Sequence, residues 1–193
     1  MALFFWYIDK IAALDVSYNN LRDCADVFMN TFFNSSYGFQ MSLEQVVQEV
    51  VRFMEADRQR RYKLIIGTDS DVVHENGEKQ RGKADFVTAI VIHRVGNGGR
   101  YFWRRIPYQP MASLRQRMYQ EVMYSLEIAK TLFGYFRQAS FPFLDFEIHV
   151  DVGENGETKT MIQELVSMIR ANNFEAKTKP ESYAATKVAD RHV

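Results

Sequence analysis

Short apolar runs separated by turn residues predict β-strands in the middle of the chain. Residues 63–68 form an aliphatic run typical of a buried central strand. Residues 86–92 form a second run, and the glycine-rich residues 96–99 after it have the composition of a hairpin turn. Residues 101–106 are therefore predicted to form a third strand, antiparallel to the second.

From residue 113 onward, the spacing of apolar residues alternates between that of a helix and that of a strand. Residues 113–133 carry apolar side chains at helical spacing, residues 146–151 alternate as a strand does, and residues 158–171 are again helical. Residues 174–178 are predicted to be a short fifth strand, and Pro180 suits the first turn of a final helix that ends near Asp190. This order predicts an α/β fold with a mixed five-stranded sheet flanked by helices.

Residues 1–60 show helical patterns only, so we predict an N-terminal helical extension over 1–60 and one domain over 61–193. Ser42 is a candidate N-cap for a helix that begins in residues 41–51, and residues 34–38 have the composition of a loop. The apolar run at residues 1–8 is too short to span a membrane. It is expected to be a helix packed on the domain or on a second subunit, which makes it a candidate homo-oligomer interface.

Composition narrows the choice of partners. The chain has 24 basic and 24 acidic residues and a formal net charge of zero, so any contact with nucleic acid must come from a local patch. The single cysteine, Cys24, permits no intrachain disulfide. A reducing, cytoplasmic location is therefore expected.

Four carboxylates fall where this topology would bring them together. Asp69 and Asp151 each follow an apolar strand, and the two strands should be neighbours. Glu121 borders the buried stripe of the first long helix, and Asp190 lies near the end of the last helix. An all-oxygen site of this kind selects Mg²⁺ or Mn²⁺ over zinc. Taken singly, an aspartate at a strand end is more often a turn or cap residue than a ligand. Glu121 alone is more often a solvated helix residue, and Asp190 alone is unremarkable.

The chain resembles the YkuK-like family of ribonuclease H-like proteins from residue 65 to residue 192. The resemblance is carried by four groups of residues: Gly67-Thr68-Asp69-Ser70; Ser113-Leu114-Arg115-Gln116-Arg117 with Glu121; His149-Val150-Asp151-Val152-Gly153 with Gly156-Glu157-Thr158-Lys159; and Lys179-Pro180 with Val188-Ala189-Asp190-Arg191. It implies a ribonuclease H-like fold and metal-dependent cleavage of a phosphodiester in a nucleic acid. Asp71 departs from the pattern, because an uncharged residue is expected there.

The resemblance implies that Asp69, Glu121, Asp151 and Asp190 are both catalytic residues and ligands of Mg²⁺ or Mn²⁺. Two ions roughly 4 Å apart would activate water and stabilise the leaving oxygen. Asp69 would bridge both ions, Asp151 and Glu121 would hold one, and Asp190 the other. One of three lysines, Lys159, Lys179 or Lys187, would neutralise charge on the phosphate, although each lysine taken singly is more often a solvated surface residue.

Three other features have two interpretations each. His149 is either a proton shuttle or, as we favour, a buried structural histidine. Residues 153–158 open a helix, where backbone N–H groups would suit a phosphate, but they lack the ending of a P-loop. Arg104 and Arg105 alternate with Tyr101 and Trp103, which indicates either a platform for single-stranded nucleic acid or aromatic packing on an edge strand.

Three hypotheses follow for function. The first is a nuclease that uses divalent metal. The second is a ribonuclease H-like module that binds nucleic acid or protein without cutting, which the neutral charge favours slightly. The third is an oligomeric structural protein whose interface is the aromatic N-terminal segment; it predicts that removal of residues 1–25 changes the oligomeric state and little else.

Overall fold

A computed structural model describes residues 32–75, 78–136, 144–153 and 159–193. The apolar run at residues 1–8 and Cys24 lie outside the described residues, and so does most of the loop at 153–158. The predictions made for those parts of the chain stay predictions.

The described strands form one seven-stranded sheet in the order β2-β1-β5-β4-β3-β6-β7. The strands are β1 (Phe33–Ser35), β2 (Gln40–Met41), β3 (Tyr62–Glu75), β4 (Glu78–Arg94), β5 (Gly99–Pro110), β6 (Leu144–Val150) and β7 (Glu175–Lys177). β3, β4 and β5 are antiparallel, and β6 and β7 continue the sheet in parallel. The five predicted strands are thus confirmed, in a mixed sheet as expected.

The turn between β4 and β5 depends on two glycines with positive φ angles. Gly96 and Gly98 have φ angles of 80° and 70°, which residues with a side chain rarely adopt. The N–H of Arg94 donates to the carbonyl of Gly98 at 2.9 Å and closes the hairpin.

Within the described ranges, three α-helices accompany the sheet: α1 (Leu43–Glu55), α2 (Leu114–Phe136) and α3 (Ile162–Ala171). Ser42 caps α1 as predicted: its side chain accepts from the N–H of Gln45, and the Gln45 side chain accepts from the N–H of Ser42. A 3₁₀ turn (Lys159–Met161) precedes α3.

Two predictions need correction. Residues 33–41 are not helix or simple loop but a β-hairpin, whose strand β1 pairs with β5 at the edge of the sheet. The last segment is not a regular helix from Pro180. It is a π-helical stretch (Ala184–Ala189) followed by a 3₁₀ turn (Asp190–His192), so Pro180 lies in the turn before it.

The two faces of the sheet are covered by different parts of the chain. Leu64 and Ile66 of β3 belong to the main core with residues of all three helices. Ile65, which points to the opposite face, packs with Ala184 of the C-terminal segment. Because successive strand residues alternate in direction, Thr68 and Ser70 point to the helices and Asp69 points to the C-terminal segment.

Candidate metal centre

Asp69 and Asp151 lie next to each other where the parallel pairing of β3 with β6 ends. The parallel ladder between β3 and β6 runs as far as the pair Thr68 and Val150, and the next residue on each chain is an aspartate. β3 itself continues past Asp69 to Glu75, paired with β4, so Asp69 does not end its strand as expected. The end of the parallel pairing nevertheless places the two aspartates side by side.

Glu121 approaches from α2 and is buried. It is 1% exposed, and its Oε1 accepts a 2.6 Å hydrogen bond from the Ser70 hydroxyl on β3. Its Oε2 is buried with no hydrogen-bond partner among the described residues. One oxygen of a buried carboxyl group is therefore left without compensation, which is costly unless a cation or a proton supplies it.

The carboxyl groups act on one another electrostatically. Burial raises the pKa of Asp69 to about 7; the Ser70 N–H opposes the rise, and the charges of Asp151 and Asp190 add to it. Burial likewise raises the pKa of Glu121 well above its usual range, with the charges of Asp69 and Asp151 contributing. All four predicted residues thus share one electrostatic environment, in which carboxylates that are not neutralised repel.

Asp190 is carried by the C-terminal segment, which several contacts hold on the sheet. Ala189, just before it, is fully buried against Val87 and Ala89 of β4. The imidazole of His192, just after it, stacks on Trp103 with ring centroids 4.2 Å apart and planes 7° apart. Asp190 itself is exposed, at the edge of the group.

One of the three candidate lysines reaches the carboxylates. The Nζ of Lys179 lies 2.7 Å from Oδ1 of Asp151, an ion pair whose angles fall outside hydrogen-bond geometry. The Lys179 side chain runs along Gly153, where an added Cβ would meet it at 3.4 Å. Lys159 and Lys187 are exposed, and no described contact joins them to the carboxylates.

Arg117 is a site residue that the sequence prediction missed. It lies one helical turn before Glu121, and its charge opposes the rise in pKa that burial causes at both Asp69 and Glu121. Its Nε is buried and has no hydrogen-bond partner among the described residues. The spacing of four residues on a helix was the available signal.

His149 is buried and structural, as we favoured. Its Nδ1 accepts from the N–H of Ala184 at 3.2 Å, and its Nε2 lies 3.2 Å from Glu147. Since Nδ1 accepts, the proton of the neutral ring belongs on Nε2 and is donated to Glu147. Lys63 completes this chain with a 2.6 Å contact to Glu147. His149 therefore fastens the C-terminal segment to β6.

Arg104 and Trp103 of β5 pack against neighbouring residues, whereas Arg105 is exposed and pairs with Asp85 at 3.0 Å. Arg104 is 1% exposed and points to the helix face, with its guanidinium 5.6 Å from the Phe33 ring. Trp103 points to the other face, where His192 covers it. The aromatic-packing interpretation is therefore the one that the structure supports.

The donor set fits a hard divalent cation. All four predicted ligands offer oxygen, the donor that hard divalent cations prefer, and Oε2 of Glu121 has no hydrogen-bond partner among the described residues. Within the described ranges, however, no three His, Cys, Asp or Glu side chains are grouped closely enough to hold one ion. The chemistry of the donors therefore fits a hard divalent cation, whereas the positions of the described side chains do not yet form a complete site.

Comparison with known proteins identifies the class to which this chain belongs. A family model described as Ribonuclease H-like matches residues 45–193. The chain therefore belongs to the ribonuclease H-like family, which points to a nuclease-type or nucleic-acid-binding function.

A particular relative agrees with the resemblance seen in the motifs. The chain is 35% identical over 181 residues to the uncharacterized protein YkuK of Bacillus subtilis (strain 168), an alignment that covers 86% of this chain and 98% of that protein. The YkuK-like resemblance is thus confirmed. No solved structure matches the chain. None of the described helices is long and apolar enough to cross a membrane.

Proposed function

We propose that this protein is a nuclease that hydrolyses phosphodiester bonds of a nucleic acid with two divalent metal ions. The observation that carries the proposal is Glu121, a buried carboxyl group with one uncompensated oxygen, whose pKa is raised in part by the charge of the half-buried Asp69. A structural carboxyl group in such a place would be paired, since burying an uncompensated acid costs stability without return. A site that awaits a cation accounts for the missing partner.

Each carboxylate has a defined part in this proposal. Asp69, Glu121, Asp151 and Asp190 would hold the ions. Bound Mg²⁺ or Mn²⁺ would supply an activated water, orientation of the phosphate and stabilisation of the leaving oxygen. The Ser70 hydroxyl fixes the direction of the Glu121 carboxyl group, so that its free Oε2 stays available.

Lys179 is the lysine with a part in this proposal. Its ammonium lies 2.7 Å from Oδ1 of Asp151 and pairs with that carboxylate. If Asp151 held a metal ion, the ammonium would be free to pair with a phosphate oxygen of the substrate. The Lys179 ammonium would thus pair with Asp151 before the metal and substrate bind, and with a phosphate of the substrate afterwards.

A non-catalytic module that binds nucleic acid or protein is the second candidate. The observation in its favour is that no three of the described acidic, histidine or cysteine side chains are grouped around a common point. A module of this kind would have the same fold but would not cleave nucleic acid with metal ions.

Cleavage of a labelled panel tests the proposal. RNA–DNA hybrid, single-stranded RNA, single-stranded DNA and branched duplex would be incubated with Mg²⁺ or Mn²⁺ and with wild type, Asp69→Asn or Asp71→Asn. Asp71 is a matched control, because it lies two residues along the same strand, is exposed, and accepts a hydrogen bond only from the N–H of Val72 among the described contacts.

We expect wild type and Asp71→Asn to cut the same member of the panel. Asp69→Asn and EDTA should each abolish cutting, a loss of at least about 1,000-fold if metal binding is destroyed. Absence of cutting by folded wild type that binds Mn²⁺ would reject the nuclease in favour of the binding module.

A further inference from the structure

Arg117 stands among acidic groups without being paired to any of them. It lies in the first turns of α2, four residues before Glu121, so both side chains leave the helix on the same side. Burial raises the pKa of Asp69 and of Glu121, and the charge of Arg117 opposes that rise at both groups. Its positive charge therefore acts on both Asp69 and Glu121.

The contacts of Arg117 do not explain its position. Its Nε is buried and has no hydrogen-bond partner in the described part of the chain, and no ion pair to a described carboxylate is formed. A buried charged donor without a partner is a cost of the folded state. The neighbouring Arg115 shows the ordinary alternative, since it is exposed and pairs with Glu164 at 2.6 Å.

The chemistry of the missing partner follows from that of the guanidinium. A planar fork of N–H donors matches two oxygens of a phosphate or a carboxylate. The carboxylates nearest to it are the proposed metal ligands, and their oxygens would be occupied by the ions. The phosphate of the substrate is then the remaining anion that fits the fork.

We propose that Arg117 is a substrate-binding residue that holds a phosphate of the nucleic acid at the carboxylate centre. The inference rests on the proposed function, because it assigns the substrate of that site a phosphate contact. Two opposite effects on binding follow. Loss of the guanidinium should weaken nucleic-acid binding, and it should leave Mn²⁺ binding intact or strengthen it, since a positive charge beside the metal ligands has been removed.

The test compares Arg117→Gln and Arg117→Lys with wild type, and Arg115→Gln as the matched control. Arg115→Gln removes the same charge from the same helix, two residues away, where it pairs with Glu164. Mn²⁺ affinity would be measured by calorimetry at pH 8, where protons compete least with the metal. Affinity for the labelled panel would be measured by fluorescence anisotropy with Ca²⁺ in place of Mn²⁺, and melting would be followed by circular dichroism.

For Arg117→Gln we expect nucleic-acid affinity to fall by roughly 10- to 100-fold, as for a lost charge-assisted contact. Mn²⁺ affinity should stay the same or rise by about 3- to 10-fold. Arg117→Lys should recover part of the nucleic-acid affinity, because it keeps the charge but not the fork. Arg115→Gln should resemble wild type in both measurements.

The inference is overturned if Arg117→Gln binds nucleic acid within twofold of wild type. It is also overturned if the variant loses Mn²⁺ affinity and melting temperature together, since Arg117 would then only support the fold. These outcomes differ from failure of the proposed function. A wild type that binds the panel through Arg117 but never cuts it would reject the nuclease and keep this contact.

Discussion

Asp69 is a residue at which burial and neighbouring charges act together. It lies on the inner strand β3, and the charges of Asp151 and Asp190 add to the effect of burial. A carboxyl group whose pKa is about 7 is protonated for much of the time in neutral solution without metal. A bound divalent cation reverses this, because it favours the charged carboxylate.

This leads to a prediction about stability and pH in metal-free buffer. Burial raises the folded-state pKa of Asp69 from 3.8 to about 7, so between these values the folded protein binds more protons than the unfolded chain. The contribution of Asp69 to the free energy of unfolding is therefore largest below pH 4. It decreases as the pH rises from 4 to 7, and it is fully lost above pH 7.

Asp69→Asn should remove that loss. Relative to wild type, the free energy of unfolding of the variant in EDTA should be nearly unchanged at pH 4 and higher at pH 8. The shift in pKa from 3.8 to about 7 sets an upper bound of about 4 kcal/mol. Urea unfolding at both pH values measures it, and a variant less stable than wild type at pH 8 would contradict the assigned environment.

Ser70 gives a second prediction at this scale. Ser70→Ala removes the hydroxyl that donates to Oε1 of the buried Glu121. Leaving that oxygen unpaired should lower the free energy of unfolding by about 1–3 kcal/mol. Ser70→Thr keeps a hydroxyl and should be closer to wild type in the same urea measurement. Equal stability of the two variants would show that the hydrogen bond contributes nothing.

The C-terminal segment is the element on which the fourth carboxylate depends. It is neither a long helix nor deeply covered, and its position comes from three kinds of contact. His149 accepts from the N–H of Ala184, Ala189 packs on β4, and His192 stacks on Trp103. Nε2 of His192 has no hydrogen-bond partner in the described ranges, so the ring contributes by its flat surface.

His192→Ala should therefore loosen Asp190 and weaken Mn²⁺ binding, while His192→Phe should preserve the stack. The lost aromatic contact corresponds to about 0.5–1.5 kcal/mol of stability. Calorimetry with Mn²⁺ and thermal unfolding of both variants provide the measurement. A His192→Phe variant as impaired as His192→Ala would show that the imidazole nitrogens, rather than stacking, matter.

Strands were predicted correctly where burial requires a continuous run of apolar residues. The aliphatic runs in the centres of β3 and β4 face both covered sides of the sheet, so they stood out as strands. Their outer parts, which extend to Glu75 and begin at Glu78, are polar and are held by backbone pairing to each other. The β1–β2 hairpin has strands of three and two residues, too short to show alternation.

At the scale of the whole molecule, the net charge is zero, and basic side chains form ion pairs with acidic side chains close to them. Arg58, Arg60 and Arg61 are close together in the sequence, and each forms an ion pair with an acidic residue. A broad electrostatic surface for nucleic acid is not built there. Under the proposed function, contact with nucleic acid depends on cations at the carboxylate centre.

Only part of the candidate site could be predicted from the sequence. The four carboxylates were proposed from strand ends, helix position and family resemblance. Strand order alone places Asp69 beside Asp151. Arg117 and the Lys179 contact were not predicted, because each depends on where a long side chain ends, and helix or strand periodicity does not determine that.

The central claim is that the four carboxylates form a metal centre, and anomalous diffraction from a crystal grown with Mn²⁺ tests it most directly. The account predicts manganese bound by Asp69, Glu121 and Asp151, including Oε2 of Glu121, with Asp190 at a second ion. Lys179 should then have moved away from Asp151. Manganese absent from these carboxylates in a well-ordered crystal, with Lys179 still paired to Asp151, would contradict it.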